Sequence, residues 1–129
     1  MAQDNVDVIQ SAWDAFGRGD IDKATSVADP SAEIVSSDSL PWGGTYQGPE
    51  GFKEFLANLL GHFERLDSKP QKVLGADDDH VVVLASISGR TKSGKDVETE
   101  AVWLYKMRNG QVVRADGFTD SALIRDALG

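Results

Sequence analysis

The stretch Ala101-Val102-Trp103-Leu104-Tyr105-Lys106-Met107-Arg108-Asn109-Gly110-Gln111-Val112-Val113-Arg114-Ala115-Asp116-Gly117-Phe118 decides the fold class. Two apolar, strand-like runs flank Arg108-Asn109-Gly110. An Asn-Gly pair between such runs is a strong hairpin signal, because both residues tolerate positive φ. Working backwards, a Lys92-Ser93-Gly94-Lys95 turn separates Asp96 to Met107 from a strand over His80 to Arg90. An Asp77-Asp78-Asp79 turn separates that strand from one over Gln71 to Gly75, with strand-like period from Lys69 onward. The C-terminal half reads as an antiparallel meander.

The N-terminal half has helical period. Val6, Ile9, Trp13 and Phe16 form one apolar face over about Asp4 to Phe16, ended by Gly17-Arg18-Gly19. Asp20 caps a short second helix with Ile21, Ala24, Val27 and Ala28 inward, stopped at Asp29-Pro30. Ala32 to Ser37 reads as a strand and Pro41 to Gly48 as loop. Pro49 opens a third helix whose stripe is Phe52, Phe55, Leu56, Leu59, Leu60 and Phe63, fading after Arg65. Ser121 to Leu128 is a closing helix capped by Asp120 or Ser121. Helices segregated from an antiparallel sheet define an α+β class, expected as one domain over 1–129. A curved sheet wrapped over the helices would enclose a pocket.

The chain has 129 residues, 40% hydrophobic and 26% charged, an ordinary globular composition. Its net charge of −8 argues against nucleic acid and anionic membrane surfaces as partners. With no cysteine, disulfides, thiol catalysis and Cys-ligated zinc are excluded. The opening Met1-Ala2-Gln3-Asp4-Asn5 is unlike a signal peptide, and no apolar run approaches membrane-spanning length, so a cytoplasmic protein is expected. His62 and His80 lie far apart, and the Asp77–Asp79 run lacks the Gly and distal Glu of a calcium loop. No metal site is expected.

Four motifs carry a resemblance over nearly the whole length. They are Ala15-Phe16-Gly17-Arg18-Gly19-Asp20, Leu40-Pro41-Trp42-Gly43-Gly44-Thr45-Tyr46-Gln47-Gly48, Arg108-Asn109-Gly110-Gln111-Val112-Val113-Arg114 and Phe118-Thr119-Asp120-Ser121-Ala122-Leu123. With these the chain resembles the nuclear transport factor 2-like superfamily, in its SnoaL-like polyketide cyclase and ketosteroid isomerase branch. The resemblance implies a cone, a cystatin-like roll whose strongly curved sheet closes over the helices around an apolar pocket. It implies acid–base work on a small, largely apolar molecule with no cofactor, and a homodimer through the outer sheet face.

The isomerase branch places a base just after the first strand, in a window from Ser36 to Ser39. Asp38 is the carboxylate in that window. An acid of that branch sits near Glu100 to Val102. The cyclase branch has a His where this chain has Trp103, and an Asp near Gly117, beside Asp116. Asp38 and Asp116 are thus the candidate catalytic residues. Each also has a plain reading, Asp38 as a turn acid and Asp116 as a strand-end solvent residue. Trp13, Phe16, Trp42, Tyr46, Phe55, Leu59, Trp103, Tyr105 and Phe118 are the candidate substrate-binding residues. Period two puts Trp103 and Tyr105 on one sheet face, where they either line a pocket or only pack.

Three functions stay open. The first is an isomerase- or cyclase-type enzyme with Asp38 as base. The second is a non-catalytic ligand-binding or assembly module. The third is an epoxide-hydrolase-like site built from Asp38, Arg114 and Asp116. A carboxylate buried in the cavity discriminates the enzymes from the binder.

Overall fold

The computed structural model describes residues 2–129; Met1, part of the N-terminal reading above, lies outside the described residues. The element order is α1 (Ala2–Gly17), α2 (Ile21–Thr25), β1 (Ala28–Ser36), β2 (Gly44–Gln47), α3 (Gly48–Leu60), β3 (Phe63–Gly75), β4 (His80–Thr91), β5 (Asp96–Arg108), β6 (Gln111–Thr119) and α4 (Ser121–Leu128). The strands form one curved, unclosed sheet in the order β2-β1-β6-β5-β4-β3. The α+β class and the sheet wrapped over N-terminal helices are as the sequence implies.

The hairpin that decides the class forms as its chemistry dictates. Arg108 pairs with Gln111, and Asn109 (φ 53°) and Gly110 (φ 76°) fill the two-residue turn between them. Both positive φ values suit a primed turn, whose twist matches that of the flanking strands. From β3 to β6 the strands run as an antiparallel meander.

Four local expectations need correction. β1 pairs with β6 in parallel, so the sheet is mixed. The second helix ends at Thr25, and Ala28, Asp29 and Pro30 belong to β1. Pro30 is tolerated there because the β1–β6 register slips between Ala28 and Glu33, leaving a bulge with no ladder bond for proline to break. Gly44–Gln47 forms a short edge strand instead of loop. Finally, α3 stops at Leu60 with Gly61 as its C-cap, and β3 begins at Phe63. Phe63, read as the end of a helical stripe, is instead a buried strand residue.

The core lies between the inner sheet face and the helices. Val81, Val83, Met107, Val112 and Ala115 from the strands meet Ile9 of α1, Phe55 of α3 and Ile124 of α4. Side-chain bonds pin the helices at their ends. The Asn5 amide donates to the Asp78 carbonyl (2.8 Å), fixing α1 to the β3–β4 turn. Asp20 and Asp120 cap α2 and α4 through the Lys23 and Leu123 amides (3.1 Å each). The Thr91 and Ser93 hydroxyls donate to the Ala127 carbonyl (3.2 and 2.9 Å), holding α4 against the β4–β5 turn.

The outer sheet face is apolar along two cross-strand rows. Leu74, Val82 and Leu104 form one; Leu84, Val102 and Phe118 form the other. Leu74 is 49% exposed and Phe118 59%. No helix among the described residues is long and apolar enough to cross a membrane.

Candidate functional site

Strand alternation aims the β5 residues Ala101, Trp103 and Tyr105 at the helices, and Gly117 of β6 lies opposite Trp103. On the other side, the helical stripes of α1 and α3 turn Ile9, Trp13, Phe16, Phe52, Phe55 and Leu59 towards the same space. The result is a cavity of about 120 Å³ between sheet and helices. Trp13, Phe16, Trp42, Phe55, Leu59, Trp103 and Tyr105 all line it, as does Ile124 of α4, whereas Phe118 borders it only at the rim, its side chain alternating to the outer face beside Val102. Ser37, which lines the cavity, is exposed just past the end of β1, so the cavity reaches solvent there.

Aromatic contacts set the wall. Trp103 and Tyr105 stack with ring centroids 6.1 Å apart and planes 20° from parallel. Phe55 meets Trp103 edge-on at 5.8 Å. Tyr46 is the one substrate-binding candidate outside the lining. It stands behind the wall, packing edge-on against Phe55 at 5.5 Å, donating its hydroxyl to the Trp42 carbonyl (2.9 Å) and accepting from Asn58 (3.2 Å). It is therefore a buttress for Phe55 and Trp42.

Polar groups in the lining are few. They are the hydroxyls of Ser36, Ser37, Ser68, Thr119 and Tyr105, with the indole N–H groups. Tyr105 is 5% exposed, and its oxygen accepts from Trp13 Nε1 at 3.0 Å. Among the described residues nothing accepts the Tyr105 proton, so the hydroxyl keeps a free donor in the cavity. Burial pushes the Tyr105 phenol up from its ordinary value, with the Trp13 N–H opposing in part. The group is a neutral donor throughout the physiological range.

The two candidate acids lie elsewhere. Asp38 is exposed on the loop after β1 and does not line the cavity. Its neighbours Ser36 and Ser37 do line it, and Ser37 Oγ bonds Ser39 Oγ at 2.7 Å across the turn. Asp116 alternates out of the cavity, between inward Ala115 and Gly117. It receives two bonds from Arg114, Nε at 2.9 Å and Nη2 at 3.0 Å. Asp116 in turn raises the Arg114 guanidinium further above its usual value. Arg114 and Asp116 thus form an outer-face pair, and an Asp38–Arg114–Asp116 set does not meet in the cavity. Glu100 is exposed. The His80 ring nitrogen Nδ1 lies 2.9 Å from Asp77, closing the acidic turn. Among the described residues, no three His, Cys, Asp or Glu side chains are placed to hold a metal.

Several lining residues escaped the sequence. Leu66, Ser68 and Ile87 come from the β3–β4 ladder, whose start was read as helix. Ser36, the last residue of β1, and Ser37 just after it carry no pattern, but both lie in the Ser36–Ser39 window that the isomerase resemblance singles out.

Fold and site together define a cone with an uncharged, aromatic cavity. The chain belongs to the SnoaL-like domain family, whose match covers residues 9–115. Among solved structures it is similar to TerC co-crystallised with polyporic acid, at 25% identity, a TM-score of 0.88 and coverage of 97% of this chain and 98% of that one. It is similar to a protein of Jannaschia sp. CCS1 assigned to the SnoaL-like polyketide cyclases, at 25% identity, a TM-score of 0.84 and coverage of 98% and 92%. An NTF2-like protein of Burkholderia thailandensis shares the fold at 21% identity, with a TM-score of 0.90 and 97% coverage of both chains. The curated proteins contain no match.

Proposed function

We propose that this protein binds one small, largely apolar molecule in the cone, with a carbonyl or similar oxygen of that molecule on the Tyr105 hydroxyl. One observation carries the reading. Among the described residues, the cavity lining contains no Asp, Glu, His, Lys or Arg, and its one titratable group is the buried, neutral Tyr105. A site of this kind holds and polarises an oxygen, and it has no proton acceptor of its own inside the cavity. The co-crystallisation of TerC with polyporic acid supports small-molecule binding as the general theme.

A second reading keeps the isomerase or cyclase type, with Asp38 as base. Its support is that Ser37, the adjacent residue, lines the cavity mouth, and that the Jannaschia relative is assigned to the polyketide cyclases. Asp38 would then act at the mouth, on a proton the ligand presents there. A single variant separates the readings. Under the binding reading, Asp38→Asn leaves calorimetric affinity for acetophenone within about twofold and stability within ~0.5 kcal/mol, as for a surface site. A loss of turnover of roughly 100-fold or more in that variant, on any ketone or cyclisation substrate, would establish the second reading instead.

A further inference from the structure

We propose that Trp103 restricts the ligand to a single ring-sized body; the proposal rests on the pocket reading above. The cavity measures about 120 Å³. A dry cavity of about 150 Å³ lined by Leu, Ile and Phe takes one benzene. The space here therefore suits one ring with a small oxygen-bearing substituent, and a fused polycycle exceeds it.

The geometry shows what takes up the remaining room. Trp103 and Gly117 are direct partners across the β5–β6 ladder. A Cβ built on Gly117 would lie 2.6 Å from Trp103 Cζ2 and 2.7 Å from Cη2, so the six-membered end of the indole rests on bare β6 backbone. Phe55 blocks a second side and Tyr105 a third. An indole held on three sides in a close-packed wall does not swing aside without displacing its neighbours. The absent side chain at position 117 makes room for the indole, and the indole then sets the size of the ligand.

The test is calorimetric titration with two ketone probes, acetophenone and 9-fluorenone. In fluorenone the carbonyl lies between two benzo rings, so placing its oxygen on Tyr105 brings both rings inside. Buried area alone favours fluorenone; a preference for acetophenone is therefore steric. The wild-type protein should bind acetophenone at least roughly tenfold more tightly. Trp103→Leu, which joins the indole's space to the cavity, should shift the preference towards fluorenone by at least about tenfold. Gly117→Ala, which drives the indole into the cavity, should weaken acetophenone. Wild-type protein that takes fluorenone as tightly as acetophenone overturns the size limit and leaves the pocket reading standing. Wild-type protein that binds neither probe refutes the pocket reading, and the size limit with it. If Trp103→Leu does not fold, the wild-type preference and Gly117→Ala still decide the matter.

Discussion

Tyr105→Phe removes one oxygen and keeps the ring, so its consequences follow from two hydrogen bonds. The first is structural. Trp13 Nε1 donates to Tyr105 at 3.0 Å, and the variant leaves this indole N–H without its acceptor. An orphaned buried donor costs about 1–3 kcal/mol. Trp13 is only half-buried and water can reach it through the cavity, which sets the expectation at the low end, about 1 kcal/mol. The second bond is to the ligand. Losing a neutral hydrogen bond of about 0.5–1.5 kcal/mol should weaken acetophenone roughly two- to thirteenfold. Ethylbenzene has the same shape without the oxygen, and its affinity should not fall. Calorimetry with both probes on both proteins gives the difference of differences, which cancels any general loosening of the wall. Equal losses for the two probes, or no loss for acetophenone, would refute Tyr105 as the anchor of the ligand oxygen.

Two further outcomes follow from the same structure. Burial raises the folded-state value of the Tyr105 phenol above its unfolded value near 10, so the folded state holds the proton more firmly. Tyr105 should therefore leave stability unchanged up to that value and lower it as pH rises beyond, and Tyr105→Phe should reduce the alkaline loss measured by urea unfolding. The apolar rows on the outer sheet face lead us to expect a homodimer. Light scattering at micromolar concentration should give about twice the 13.9 kDa chain mass, and Val102→Lys, at the centre of the patch, should return it to one; a wild-type monomer would refute this.

The sequence is most informative where one residue type enforces one conformation. Asn109-Gly110 announces its hairpin because few other pairs accept two positive φ values. The stripes of α1 and α3 announce their inner faces because a 3.6 period is hard to mistake over a dozen residues. Boundaries are less legible. The Phe63–Gly75 strand is half exposed and charged, and its Pro70 mimics a break, yet the register shift between Pro70 and Lys72 absorbs the proline. The parallel β1–β6 pair is long-range and leaves no local trace. In the site, the large aromatics are legible because size and period both point inward. Asp38 and Asp116 show the opposite case. A loop has no period to say which way a carboxylate faces, and the outward turn of Asp116 is decided by its place between inward Ala115 and Gly117.

The most direct test is a crystal structure of the protein with acetophenone. The phenyl ring should lie in the cavity beside Trp103 and Phe55, with the ketone oxygen at about 2.6–3.2 Å from the Tyr105 hydroxyl, the range of a hydrogen bond. A ketone oxygen turned towards Asp38, or a probe seated outside the cavity, would contradict this arrangement.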